Sequence, residues 1–581
     1  MTTTADTGLA ARLRSNPFAV DAFIAFGLTG VSIATIAGGA RDFGSYDPLS
    51  LVLLFLQTLP LLVRRRWPLL VFAVTFGATL GHAALARDAI NTTLGFLVAL
   101  FTVGELKDRR TSAIAALVAA GSSDPARLLR GNMRSPVPAT TSAPNHHKRI
   151  LRVVVALTLL GLITHGTYAG SGDEAHYLAI AHSIAFDHDL DLANNYGAAE
   201  PLIGGGGLAP EYHIHAGANG VMRPVHDVGL PLLFAPVVRI ARPAAEWLSA
   251  TLPGAFLRRV RVTPSVLYRH LLSAVMVMVA VWLAGMLFDA FVLLGVSTRT
   301  AAASAALVML SPPVLIFSIL LFTELPAAAL ALFVFRRTSM TPATGVLAWT
   351  LTGAATGFLF LLHARNAGLV AAFVLLGLLA AYRQRSAPHA AAFVAGAAAL
   401  LAIRTLINHL FWGTWVTTPH AALGELRGIS ETASIAGVRL AGLLVDREFG
   451  LLIYAPFLLL APLGLAVMRP RAIARAVMLT CACYLALVLW PVTNVHGWQG
   501  GWNPAGRFML PLVPLVALAL PAAFAAVPRA ALIVLIALQI LMDGYLWQNP
   551  KNLWNDGDGV AAICGRAETG LCKWLPAVKR L

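Results

Sequence analysis

Long apolar runs alternate along this chain with short clusters of arginine. Phe18–Gly39, Leu49–Val63, Leu69–Leu85 and Ile90–Val103 come first, punctuated by Arg64, Arg65 and Arg66 and then by Lys107, Arg109 and Arg110. Runs of this kind read as helices that cross a bilayer, and the basic clusters mark the cytoplasmic ends. Residues 1–120 therefore read as a four-helix membrane unit with its N-terminus, near Arg12 and Arg14, inside. Residues 121–149, rich in Ser, Pro, Thr and Arg, read as a cytoplasmic linker.

The pattern resumes with Ile150–Ala169, which crosses outward, so that the polar stretch 170–227 becomes a large external loop. Val228–Leu248 returns towards Arg258, Arg259, Arg261 and Arg269. Between about 270 and 382 the runs are one too many for the charges at either end. The piece around Ser311-Pro312-Pro313 and Thr323-Glu324, with its prolines and its acid, is expected to be short or re-entrant. Beyond Arg385, the crossings Ala390–Ile403, Phe449–Met468, Val477–Trp490, Met509–Ala526 and Leu532–Leu546 leave external loops at 409–448 and 491–508. They also leave the tail 548–581 outside, with Cys564 and Cys572 as a candidate disulfide.

Composition agrees with the pattern. Of 581 residues, 58% are hydrophobic and 12% charged, and the mean hydropathy is +0.73. The fold class is all-α and polytopic, and the lipid bilayer is the first partner. The net charge of +16 sits in the clusters that set topology. No basic stretch is interleaved with aromatics, so nucleic acid is excluded as a partner. Met1–Asn16 is polar and no small-residue cleavage site follows the first run, which reads as the absence of a signal peptide.

Chemistry concentrates in 170–196, GSGDEAHYLAIAHSIAFDHDLDLANNY. Asp173 and Glu174 stand at the predicted membrane surface, where apolar surroundings can raise the pKa of a carboxylate base. Ser171-x-x-Glu174 is also a capping box, which would account for Glu174 without catalysis. Glu324 is an acid within apolar sequence, costly and therefore a functional candidate. Asp187, Asp189 and Asp191 alternate like calcium ligands but lack the EF-hand glycine and terminal glutamate, and read as a connector. His213, His215 and His226 could ligate zinc but are scattered. No metal site and no cofactor is assigned, a divalent metal being the lesser reading.

The stretch DEAHYLAIAHSI, the junction Arg223-Pro-Val-His226-Asp227-Val-Gly-Leu-Pro231 and the late segment Trp498-Gln-Gly-Gly-Trp502-Asn-Pro-Ala-Gly-Arg507-Phe508 together resemble the C-type (GT-C) membrane glycosyltransferases. These are related to protein O-mannosyltransferases and lipid A aminoarabinose transferases. Asp446–Pro456 is also similar to bacterial relatives, and the resemblance covers about 148–547. It implies a multi-helix domain over 150–547 in a bacterial inner membrane, with a polyprenyl-phosphate sugar as donor and a lipid, glycan or protein as acceptor. Asp173 would be the general base, with Glu174 beside it, and transfer would invert the anomeric centre. The leaving phosphate needs guanidinium partners; Arg507 and Arg365 are the candidates, on charge and topology. Tyr177, His226, Asp227, Glu324, Trp498 and Trp502 are the candidate substrate contacts. Residues 1–120 resemble the N-terminal membrane region of bacterial sensor histidine kinases, yet no phosphoacceptor helix or ATP-binding glycine motif follows. A transporter or flippase, or a non-catalytic sensor, are the alternative functions.

Overall fold

The computed structural model describes residues 55–84, 143–164, 172–197, 213–252, 263–415, 418–424, 429–489 and 503–548, with a few short pieces between and beyond them. The chain divides into two compact units, Met1–His146 and His147–Leu581. The described part is mostly helical, with one two-stranded hairpin.

In the first unit, a 3-10 turn Leu59–Val63 leads through Arg64–Arg66 into the helix Pro68–Ala84. Asp21, which lies within the first apolar run, is 3% exposed and receives Arg64 Nε and Arg65 Nε at 2.9 Å each. An acid buried in apolar sequence thus has two guanidinium partners, which its burial demands. The Ile90–Val103 run and the 121–142 part of the linker lie outside the described residues.

The helix Ala143–Thr164, whose residues from His147 on belong to the second unit, starts inside the stretch read as linker. Among the described residues four helices are long and apolar enough to cross a membrane: Pro264–Leu293, Ala364–Arg383, Ala387–Trp412 and Arg471–Val488. A fifth is added if Arg507–Ala517 and Leu520–Ala526, bent by 64°, form one span. Their ends follow local rules. Thr263 Oγ1 accepts from Val266 N–H at 3.3 Å, with Pro264 at the first position. Ser386 Oγ accepts from His389 N–H, and Gly413, at φ +72°, ends Ala387–Trp412 in the left-handed conformation.

The span count differs from the reading by runs. Val228–Leu248 is the helix Gly229–Thr251, but Arg239 and Arg242 interrupt its apolar face. They bind Ala185 O and His182 Nε2, so this helix is fastened to the segment Glu174–Asp187. The two runs 300–322 and 325–335 are the helices Thr298–Met309 and Glu324–Phe335, separated by an irregular stretch with one short turn, Val314–Phe317. Every residue from Ser311 to Ala329 is buried. Irregular backbone in an apolar domain is tolerated only where protein covers it, and here it does. The stretch 409–448 contains a helix, Ile429–Val445, and begins with the last turn of Ala387–Trp412, so it is not a simple loop. In the tail, Pro576 O accepts from Arg447 N–H at 2.8 Å and Val578 is buried in the main core; Cys564 and Cys572 lie outside the described residues.

The helix Val346–Leu362 packs on Ala387–Trp412 through glycine. A Cβ on Gly353 would come 2.0 Å from Phe393 O, and one on Gly396 would come 2.2 Å from Thr350 O. With Gly357 these form the small-residue seam that lets apolar helices approach where no hydrophobic force separates them from lipid. Gly353→Leu must push the backbones apart. The expected result is loss of the folded protein from detergent extracts, read by size-exclusion profile, with Gly345→Leu affecting the fold only through its own φ of +81°.

Candidate functional site

The helix Glu174–His182 begins with Asp173 at its N-cap. Glu174 is therefore the first helical residue of this element, and Ser171, the other half of the expected capping box, lies outside the described residues. Glu174 is 1% exposed, and its Oε1 accepts the Leu321 N–H at 2.7 Å. It pins the irregular stretch to the start of this helix, satisfying a backbone donor that no helix could. That contact gives Glu174 a tertiary role that the helix-cap reading did not contain.

Asp173 faces a row of alternating charge. Its carboxylate binds Arg507 Nη2, and the same guanidinium donates from Nε to Glu324 Oε1 at 2.7 Å and from Nη1 to Gly500 O at 2.9 Å. Glu324 Oε1 also receives Arg365 Nη1 at 3.1 Å, and Arg365 Nη2 meets His363 Nε2 at 2.6 Å. Phe508 lies against both arginines, with Arg365 3.8 Å from its ring centre and Arg507 5.5 Å. Four residues named from four separate stretches of sequence are thus one contiguous cluster. Two acids meet two arginines, and the local charge is close to zero.

The fold explains why these side chains converge. Glu324 opens the helix that follows the irregular stretch, and Arg365 sits in the 3-10 turn Ala364–Asn366 between two long helices. Gly506, at φ +73°, turns the chain so that its N–H bonds Phe449 O at 2.9 Å and Arg507 starts the bent pair facing inwards. Burial alone would push the Asp173 carboxyl up. Arg507, with His226 and His176 adding smaller contributions, outweighs it and holds the acid below the usual carboxylate range. Tyr177 follows on the same helix; it is buried, its hydroxyl has no hydrogen-bond partner among the described residues, and burial beside the two acids raises its pKa.

Asp227 continues the polar layer. It receives Arg404 Nη1 at 2.5 Å and the Ala364 N–H at 2.9 Å, with His363 Nδ1 at 3.5 Å. A cleft lined by His226, Asp227, Arg404, Asn408 and Pro419 opens there. Arg404 and His363 were not singled out in sequence. The available signal was an arginine just beyond the apolar run Ala390–Ile403, which the helix Ala387–Trp412 carries into the interior at 3% exposure. Arg404→Leu leaves the buried Asp227 without its guanidinium, and the expected outcome is a fall in melting temperature that Asp227→Asn in the same chain partly restores.

His226 stands with His213 and His176: one ring nitrogen of each lies within 4.8 Å of the others. His215, the third member of the sequence set, instead pairs with Arg223 in the hairpin register. Burial lowers the His176 and His226 pKa values to about 3 and about 4, so both are neutral at pH 7. Asp187, Asp189 and Asp191 spend oxygens on their own segment, including Ser183 Oγ at 2.9 Å and the Asp191 and Ala193 N–H groups. Trp498 and Trp502 lie outside the described residues.

Comparison with known proteins adds one finding. The family model "Domain of unknown function (DUF7134)" matches residues 9–141, a stretch that contains none of the residues of this site. No curated protein and no solved structure matches the chain.

Proposed function

We propose that residues 147–581 form a membrane glycosyltransferase of the GT-C type, which moves a sugar from a polyprenyl-phosphate donor to an acceptor at the external face. The observation that carries this reading is Asp173 bound to Arg507 within the buried Arg507–Glu324–Arg365 row. It supports the reading because a carboxylate that can act as a base stands at the helix start where the sequence resembles that superfamily, and two guanidiniums that can meet a phosphate lie in the same row.

In the reaction, the acceptor hydroxyl gives its proton to Asp173 while its oxygen attacks the anomeric carbon. The bond from that carbon to the phosphate oxygen breaks, and its electron pair leaves with the polyprenyl phosphate. Arg507 and Arg365 neutralise the charge that gathers there, each able to present two N–H groups to phosphate. Donor binding has a second consequence. A phosphate that takes over the Arg507 guanidinium releases Asp173 from the partner that makes it a weak base. The base is thus strengthened only when the donor is present, which suppresses unproductive proton uptake. The cleft at His226, Asp227 and Arg404 is suited to hydroxyl groups of sugar or acceptor.

The test is transfer by the purified full-length protein in native lipids from a panel of radiolabelled polyprenyl-phosphate sugars. Transfer from at least one donor, with release of polyprenyl phosphate, is the expected result. No transfer from any of them, to lipid, glycan or protein acceptors, overturns the reading.

A further inference from the structure

The hairpin Ile214–Ala216 with Met222–Pro224 is antiparallel, with Ile214 opposite Pro224, and Val225 N–H bonds His213 O at 3.0 Å. This register places the residues just outside the strands, His213 and His226, side by side: His213 Nδ1 and His226 Nε2 are 2.9 Å apart. The helix Glu174–His182 brings His176 against them, its ring stacked on His213 at 3.5 Å and parallel to His226 at 5.2 Å. Tyr196 OH is 2.6 Å from His176 Nδ1 and fixes that ring from the far side. A helix and the two ends of a hairpin therefore bring three imidazoles into one small volume, and among the described residues none of them is hydrogen-bonded to a carboxylate.

We propose that His176, His213 and His226 form a binding site for one divalent transition-metal cation of the zinc type, held beside Asp173. Two imidazoles on one tetrahedral ion stand about 3.3 Å apart at their nitrogens, given metal–nitrogen bonds near 2.0–2.1 Å. The 2.9 Å pair needs to open by a few tenths of an ångström, and the rings, which lie within 9–18° of parallel, need to tilt so that each ring plane contains the ion. An all-nitrogen set selects zinc, cobalt, nickel or copper over magnesium, calcium and manganese, which want oxygen. Three histidines with a free fourth position are the arrangement of an ion that also takes an exogenous ligand. Tyr196 occupies the place of the outer partner that orients a ligating ring. The ion would add positive charge two to three residues from Asp173 on the same helix start. His226 also lines the cleft beside Asp227, but metal binding is read without turnover, so its test stands whether or not the protein transfers a sugar.

The experiment is cobalt titration of the full-length protein, purified in detergent, freed of any affinity tag and stripped with chelator. Visible ligand-field absorption and elemental analysis give coordination and stoichiometry. Expected are one cobalt per chain, absorption of four- or five-coordinate strength, displacement by zinc, and no competition from excess magnesium. His213→Ala and His226→Gln remove the absorption, Tyr196→Phe weakens binding by about tenfold, and His215→Ala leaves it unchanged. Each variant is first melted without metal, and only those melting like the parent chain are scored. His176→Gln stands in where an alanine variant fails that check. Substoichiometric cobalt, six-coordinate absorption, or the same titration in a chain lacking all three histidines overturns the proposal.

Discussion

Asp173→Asn is expected to lower the rate of transfer by roughly 10²- to 10⁴-fold, the usual worth of a positioned general base. The fold should survive. Arg507 retains Glu324 at 2.7 Å and Gly500 O at 2.9 Å, so it is not left as an uncompensated buried charge. The substitution also discriminates between base and scaffold through the kinetic constants. An amide no longer competes with the donor phosphate for Arg507, so the KM for donor is expected to stay level or fall while kcat collapses. Initial rates across a donor series, together with a melting curve, measure both. Unchanged kcat in a variant that melts normally would remove Asp173 from catalysis and leave the base to be sought elsewhere in the cluster.

What the sequence made visible follows from which interactions are local. Hydropathy is a sum over neighbours in the chain, so apolar runs and basic clusters showed the helical class without any knowledge of packing. The acids and arginines at run ends were visible for the same reason: Asp173, Glu324, Arg365 and Arg507 stand out because charge is rare in this chain. That they meet is a tertiary fact, and no spacing encodes it. Glu174 shows the limit most sharply. Locally it fits a capping box, yet its partner is a backbone N–H 147 positions away. The histidines repeat the lesson. His215 shares a short stretch with His213, whereas the third member of the cluster is His176, supplied by a helix nearly forty residues earlier. The broken crossings were legible only as an excess in the count. Prolines and one acid marked the break, but burial of the whole segment decides that it can exist in an apolar domain.

Removing Glu324 is expected to have the largest effect on stability of any single change in the site. It is 2% exposed and stands between Arg507 and Arg365, at 2.7 and 3.1 Å. Glu324→Gln keeps the shape and deletes the charge, leaving Arg507 with Asp173 and Arg365 without an acid among the described residues. Loss of one member of a buried ion pair costs about 3–5 kcal/mol, because the remaining charge has neither water nor partner. The cluster predicts a particular coupling as well. With Glu324 neutral, the four groups carry a net charge of one; Arg365→Gln in the same chain returns it to zero. The double variant should therefore melt closer to the parent than the sum of the single losses allows, a positive interaction energy of the size seen for contacting charges. Donor binding should not recover, because one of the two phosphate guanidiniums is gone. Melting of the four chains in one detergent, with and without polyprenyl phosphate, gives both quantities. Strict additivity would mean that Arg507–Glu324 and Glu324–Arg365 are separate pairs that happen to share an atom, and that the row is not the unit on which donor recognition rests.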